Sequence, residues 1–349
     1  MFIEGVGSAA PANRFTQAEC WEALAGAPQF AGLAGRSKAI LRKVLLGECG
    51  IETRHLAFEK LEEAFALEPD VLHRRFAKTA PMVAAEAARG ALAKCGKAAD
   101  EIDGLAISTC TGYLCPGLTS YVSELLGLRS NVFCLDLVGQ GCGAAIPNLA
   151  ASDALIRQGA RNTLSICVEV CSAAFYLDDD PGVLISACLF GDAAGAIVCA
   201  REASGARPLE WLGWETALDP KNRDLLRFEQ RRGMLRNVLD KSVPVLVVEH
   251  ARRVLADGLK KLGLDRGEIR NWILHTGGRD VLAAMQTGLG LSTNDLVHSS
   301  GVLREYGNVS SPSVMLSLER ALAADALRGL WWMGAFGAGI TCHGAFLRG

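Results

Sequence analysis

Strand-like apolar runs alternate along this chain with Ala/Leu-rich segments of helical period. GLAIST (104–109), NVFCLDLV (131–138), TLSICVEV (163–170), GAIVCA (195–200), NWILH (271–275) and RGLWWMGAF (328–336) are continuous enough to predict strands buried on both faces. Helices are predicted over 82–96, 142–158, 244–263 and 309–325. Such alternation predicts a layered α/β protein. Residues 201–235 break the rhythm: they are polar, lack a clear period, and predict a segment that joins two halves or overhangs a site. The chain accordingly divides into 1–205 and 206–349.

The pattern also echoes itself. Thr109 and His275 both end a strand and lie 166 residues apart, and Cys142 and Asn308, which both open a helix after a glycine, are separated by the same 166. In GCGAAIPNL and GNVSSPSVM a proline follows early in the helix. LFGDAAGAIV (189–198) and AFGAGITCHGAFL (335–347) repeat a Phe-Gly turn before a small-residue strand, at an offset of 146. Duplication of one α/β unit, with an insertion in the first copy, is the expectation.

Composition narrows the function. With 349 residues, half of them apolar, the chain buries a large core. Charged residues are 21% with a net charge of −2 and no basic block, which excludes an electrostatic footprint for nucleic acid or anionic membrane and leaves a small-molecule substrate. MFIEGVGSAAPANRFT has no basic stretch followed by an apolar run, and no segment approaches the ~20 apolar residues that span a bilayer, so a cytoplasmic protein is expected. In that compartment the 12 cysteines stay reduced. Cys110 and Cys115 are five apart, Cys167 and Cys171 four apart, and no CxxC pair occurs; core and pocket lining outweighs zinc, and no metal site is predicted.

Within LDLVGQGCGAAIPNLAAS, Cys142 sits at a strand-to-helix junction, where the helix dipole and unpaired N–H groups favour a thiolate. The competing reading is a small residue packed between glycines. If Cys142 is the N-cap, Pro147 lies at the margin of tolerance and predicts a bend or a short irregular first turn. A nucleophile also needs a proton partner, and among six histidines His275 stands out, because it ends an apolar strand before Thr276-Gly277-Gly278. His55, His73, His250 and His298 read as surface or capping residues, and His343 as a site residue or a satisfied core histidine. Asn308 reads either as an N-cap or as an amide donor to an oxyanion.

The segment around Cys142, FGD at 190–192, LHTGGR at 274–279, EYGN at 305–308 and GAFGAGIT at 334–341, in this order, resemble the type III polyketide synthases, chalcone-synthase-like members of the thiolase and ketosynthase superfamily. The likeness runs from about residue 50 onward, and CTGYLCPG (110–117) resembles the bacterial branch. It implies a homodimer of duplicated halves in a thiolase-like αβαβα sandwich. It also implies malonyl-CoA and an acyl-CoA starter as substrates, with no metal or redox cofactor. On this resemblance Cys142 carries the acyl chain, and His275 holds its thiolate as an ion pair. His275 and Asn308 then cradle the thioester oxygen during decarboxylation, and Phe190 gates the cavity.

Departures bear on the substrate. Cavity positions filled by Thr and Ser in chalcone synthases are here Cys110, Thr111, Cys171 and Ala174, with Ser310 in the same pocket; the position that reaches the partner's cavity is Cys115. The smaller side chains at 171 and 174 predict altered, larger room. The second gatekeeping Phe falls around Leu235 to Asn237, where no aromatic occurs, which predicts a differently guarded entrance. Ala338 replaces the Pro of the terminal loop. Arg42, Lys43 and Arg54 are weak candidates for the CoA phosphates, each reading equally as a solvated helix-face charge. The Cys115–Pro116 bond is expected to be cis, which X–Pro permits at modest cost.

The expected reaction is decarboxylative condensation of malonyl-CoA onto a Cys-bound starter, then cyclisation to a pyrone or phenolic ring. A single-condensation β-ketoacyl synthase III-like enzyme is the nearest rival. A thiolase would need a second cysteine, for which Cys342 in GITCHG is the candidate, and a non-catalytic acyl-CoA or acyl-carrier binding subunit is the alternative from another class. Starter, number of extensions and ring-closure mode depend on cavity shape and are not legible in sequence.

Overall fold

The computed structural model describes residues 1–204, 208–326 and 328–349. The expected boundary between 205 and 206 lies outside the described residues. Nine strands form the main sheet, and its order resolves into two related halves. In the first, Phe2–Ala9 pairs antiparallel with Ala193–Ala200, which pairs antiparallel with Asn162–Glu169, which runs parallel to Gly104–Thr109. In the second, Leu209–Leu218, Thr341–Arg348, Leu330–Gly337 and Ile269–Leu274 repeat the same antiparallel, antiparallel, parallel series. The halves touch through a short pairing of Phe2 with Glu210 and Ile3 with Leu209. The duplication read from the 166-residue spacing is therefore built into the topology. Phe133–Val138, parallel to Gly104–Thr109, is an added edge strand of the first half.

Each half-sheet is covered on both faces, which is why its strands read as continuous apolar runs. One core packs the helix Pro69–Cys95 onto the first half, and another packs Val243–Leu262 and Arg279–Leu289 onto the second. Between the half-sheets, Ala145–Arg157 and Ser313–Ala323 share a third core with strands of both. The layers thus stack as αβαβα. Close approach sets the composition of the first helix: a Cβ placed on Gly7 would lie 2.4 Å from Ala87 O, so only small residues meet there. That helix begins at Pro69, well before the expected start at 82, and runs through Pro81 to Cys95, capped by Gly96 at φ 66°.

The polar stretch 201–235 is not an irregular joint. It holds the strand Leu209–Leu218 and opens a hairpin of Leu226–Arg231 against Met234–Leu239. Leu209, Trp211 and Ala217 are buried while Glu210, Trp214, Thr216 and Leu218 are exposed, and Gly213 at φ 154° interrupts the alternation, which hid the strand in the sequence. Among the described residues no helix is long and apolar enough to cross a membrane.

Candidate active site

Cys142 stands in a single 3-10 turn, Gly141–Gly143, that precedes the helix Ala145–Arg157. It is not the N-cap. Pro147 is the third residue of that helix, inside the first turn where its missing N–H costs nothing, so the bend or irregular first turn expected with Cys142 as N-cap does not arise from it. Gly139 and Gly141 supply the left-handed backbone, φ 80° and 58°, that brings the strand end into the turn. Against it lies the terminal loop: a Cβ on Gly337 would sit 2.9 Å from Cys142 N, so the backbone there can only be glycine.

The second half contributes the remaining groups at equivalent strand and helix ends. His275 follows Ile269–Leu274 directly; its N–H donates to Gly334 O, its Nδ1 lies 2.6 Å from Ser313 Oγ, and its ring meets Phe336 edge-on. Asn308 is not an N-cap, because the next helix starts only at Ser313. Its Oδ1 accepts from Ser310 N at 2.9 Å, its Nδ2 donates to Gly277 O at 3.2 Å, and its backbone bridges Phe190. This holds Ser310 at φ 57°, a left-handed conformation unusual for a residue with a side chain. From there the Ser310 hydroxyl donates to Cys142 Sγ at 3.1 Å while its backbone hydrogen-bonds the His275 ring. Ser310 is the hinge between thiol and imidazole.

Burial dominates the electrostatics. Desolvation pushes the Cys142 thiol up to about 12, against the Ser310 hydrogen bond, with the Glu169 carboxylate raising it further. His275 is lowered to about 3, again by burial, with the Ser310 backbone opposing. Burial thus works against the charged form of both groups.

Glu169 was missed in the sequence, although an acidic residue in an apolar strand run was the available signal. Fully buried, it accepts from Cys110 N, Thr111 Oγ1 and Ser311 Oγ, and burial raises its carboxyl. It thereby fixes both halves' pocket residues around Cys142. Asp192 of the FGD turn plays a related part, accepting from Ala57 N and from Ser172 N and Oγ; burial pushes it up to about 6.

Two cavities flank this centre. One, with about 1310 Å³ of empty space including its open mouth, is lined by Cys110, Thr111, Gly141 and Ala338. The other is a narrow cleft lined by Cys171, Ala174 and Phe190 that runs beneath the N-terminal helices. Of the pocket residues assigned from sequence, Cys110 and Thr111 line the first and Cys171, Ala174 and Phe190 the second, while Ser310 and Cys115 line neither. The entrance is not without a second aromatic, as the sequence implied: Phe228 stands opposite Asn237 in the hairpin and lines both cavities. Cross-strand pairing placed it where linear position could not.

Other expectations are redistributed. Arg54 is not available to CoA: it is buried, donating to Gln17 Oε1, Ala187 O and Phe190 O, and so positions the Phe190 turn. Arg42 and Lys43 are exposed and line a surface groove with Trp21, Phe30 and Lys38. Cys115 is exposed, next to a cis Cys115–Pro116 bond. His250 is buried rather than on the surface, 3.4 Å from Asp219 Oδ2, and His343 packs in its strand with Nδ1 2.8 Å from Thr216 Oγ1. Cys342 belongs to the outer core of the second half, away from a thiolase-like role. Among the described residues no three His, Cys, Asp or Glu side chains group as metal ligands.

Sequence and structure comparisons agree on kinship. Residues 53–203 match the chalcone and stilbene synthase N-terminal domain, and 220–349 the C-terminal domain of the same family. A 3,5-dihydroxyphenylacetyl-CoA synthase from Streptomyces toyocaensis is 31% identical over 339 residues, covering 93% of this chain and 84% of that protein. A 1,3,6,8-tetrahydroxynaphthalene synthase from Streptomyces peucetius subsp. caesius is 30% identical, covering 91% of this chain and 84% of its own. The structure of PKS-I from the brown alga Ectocarpus siliculosus superposes with a TM-score of 0.89 at 25% identity, covering 99% of this chain and 97% of that one.

Proposed function

The chain belongs to the chalcone and stilbene synthase family and is a type III polyketide synthase, and on that premise we propose that Cys142, His275 and Asn308 are its catalytic residues. What carries the proposal is convergence: equivalent strand and helix ends of the two halves bring these groups together around Ser310. In acyl loading, the Cys142 thiol gives its proton to the neutral His275 ring as sulfur attacks the starter thioester, and the proton leaves with the CoA thiol. Ser310 Oγ–H steadies the developing thiolate.

Malonyl-CoA then loses CO2, leaving an enolate whose oxygen is held by an N–H of His275 and by Asn308 Nδ2. Fixed donors in a dry site stabilise that charge better than mobile water. The enolate carbon attacks the acyl carbon on Cys142, a C–C bond forms, and the Cys142 thiolate leaves and is reprotonated. Decarboxylation itself generates the nucleophile, so the chemistry calls for CoA thioesters as substrates and no resident cofactor. Repeated extension and cyclisation to a pyrone or phenolic ring complete the reading.

The assembly is a homodimer in this proposal. Its support is the edge strand Phe133–Val138, whose outer edge is unpaired and whose Phe133 and Val138 are more than half exposed, beside exposed Tyr113, Tyr121 and Leu125. Twelve unpaired cysteines support a cytoplasmic location. The test is mass spectrometry of the intact protein after incubation with acyl-CoA: an acyl adduct on Cys142 supports the assignment. Loading that persists in Cys142→Ala removes it.

A further inference from the structure

Among the described residues, the hairpin of Leu226–Arg231 and Met234–Leu239 belongs to no larger sheet. Two strands alone are marginally stable in water, so its place over the site is set by what its side chains hold. It carries Phe228, which lines both the open cavity and the cleft. Facing it, the helix Pro181–Leu189 ends at Phe190, whose backbone is bridged to Asn308. Whatever ties hairpin to helix therefore fixes how Phe228 stands relative to the Phe190 turn.

Arg236 makes that tie. Its side chain is only 9% exposed, and its guanidinium meets three carboxylates. Nε donates to Asp178 Oδ2 at 2.8 Å and Nη1 to Glu229 Oε1 at 3.2 Å, while Nη2 lies 3.3 Å from Asp180 Oδ2. Glu229 is its cross-strand neighbour within the hairpin. The two aspartates belong to the other side: Asp180 caps the helix, its Oδ1 accepting from Gly182 N and Val183 N, and Asp178 Oδ1 accepts from Asp180 N. One planar fork thus spans hairpin and helix start, a geometry that the single ammonium of a lysine does not reproduce. Next to it, Asn237, which pairs in register with Phe228, donates through Nδ2 to Ser186 Oγ at 2.6 Å. A Cβ on Gly182 would fall 2.5 Å from Leu239 O, so strand and helix backbones are in contact there. Arg236 itself lines neither cavity.

We propose that Arg236 is a positioning residue that clamps the hairpin to the start of the Pro181–Leu189 helix, holds Phe228 against the site and so limits the number of extensions. This rests on the synthase reading above and adds a determinant of product length. Asp178, Asp180 and Glu229 keep 26%, 46% and 31% of their side-chain surface, so each pair is partly hydrated and modest in strength. Once the clamp is cut, no neighbouring strand holds the hairpin in place. Phe228 then withdraws, the open cavity deepens toward the cleft, and more malonyl units are added before release.

The experiment compares the parent with Arg236→Met, which removes the charge and keeps an unbranched side chain, using malonyl-CoA with acetyl-, hexanoyl- and phenylacetyl-CoA. Mass spectrometry gives the ratio of products one malonyl unit longer than the parent's main product to that product. The expected ratio rises by roughly 3- to 10-fold, while CO2 release at saturating malonyl-CoA holds at the parent rate. Arg236→Lys should fall between the two. Raising KCl to ~0.5 M should shift the parent's ratio in the same direction and leave that of Arg236→Met in place, because partly exposed ion pairs are screened. Asp178→Asn, which cuts the clamp from the helix side, serves if Arg236→Met does not fold. An unchanged or lowered ratio in a folded variant, even with a lower melting temperature, overturns the clamp, as does a parent ratio indifferent to salt. Absence of condensation by the parent with every starter would instead overturn the synthase reading.

Discussion

The Ser310 hydroxyl donates to Cys142 Sγ at 3.1 Å from a left-handed backbone position that Asn308 holds in place. Thiol reactivity therefore depends on a residue that belongs to the other half of the molecule. Ser310→Ala removes the donor that opposes burial, and the thiol rises further. A hydrogen bond to a developing charge contributes about 1.5–3 kcal/mol, so acyl loading measured by single-turnover kinetics should slow by roughly 10- to 100-fold. An unchanged loading rate would remove Ser310 from the chemistry.

With its thiol pushed up to about 12, free Cys142 should be alkylated by iodoacetamide at a rate that climbs about tenfold per pH unit between roughly pH 6 and 9. A resting thiolate–imidazolium pair would give a plateau over the same range. Peptide mapping separates Cys142 from exposed Cys115 and Cys134.

His275 couples to stability with a definite sign. Its folded value, about 3, lies below the ordinary imidazole value of 6.5, so the unfolded chain takes up the proton first as pH falls. The stability that the neutral ring contributes is complete above 6.5 and is lost progressively between there and about 3. In His275→Gln the melting temperature should fall less steeply over that window than in the parent, and parallel curves would contradict the assignment. Asp192 and Glu169, both raised by burial, are common to the two proteins and cancel in the comparison.

Asn308→Ala should reduce malonyl-CoA decarboxylation by ~100-fold or more, since one fixed oxyanion donor is lost. Radiolabelled CO2 release reads this step without condensation. If the rate held, Asn308 would retain only its part in shaping the Ser310 turn.

Arg54 and Lys43 should separate cleanly. Arg54→Met orphans buried carbonyls at Ala187 and Phe190, each costing about 1–3 kcal/mol, and should lower the melting temperature. Lys43→Ala, on an exposed helix face, should leave melting unchanged and raise the KM for CoA thioesters at low salt. A drop in melting temperature for Lys43→Ala and none for Arg54→Met would reverse the two roles.

Periodicity made much of the frame legible. Strands buried on both faces announce themselves as uninterrupted apolar runs, and the 166-residue spacing already paired Thr109, which ends a strand of the first half, with His275, which follows the matching strand of the second. Where alternation was mixed and a glycine intervened, as in Leu209–Leu218, local pattern failed and a sheet strand passed for a linker.

What linear order determined, then, was the fold, its duplication and the identity of the residues most suited to the chemistry. Tertiary structure decided their state and their surroundings. Protonation of Cys142 and His275 follows from how much water the packed halves exclude, Arg54 became a structural donor because two distant segments close over it, and Phe228 entered the site through its cross-strand partner Asn237. Desolvation and cross-strand register are properties of residues remote in sequence and adjacent in space, and no local pattern encodes them.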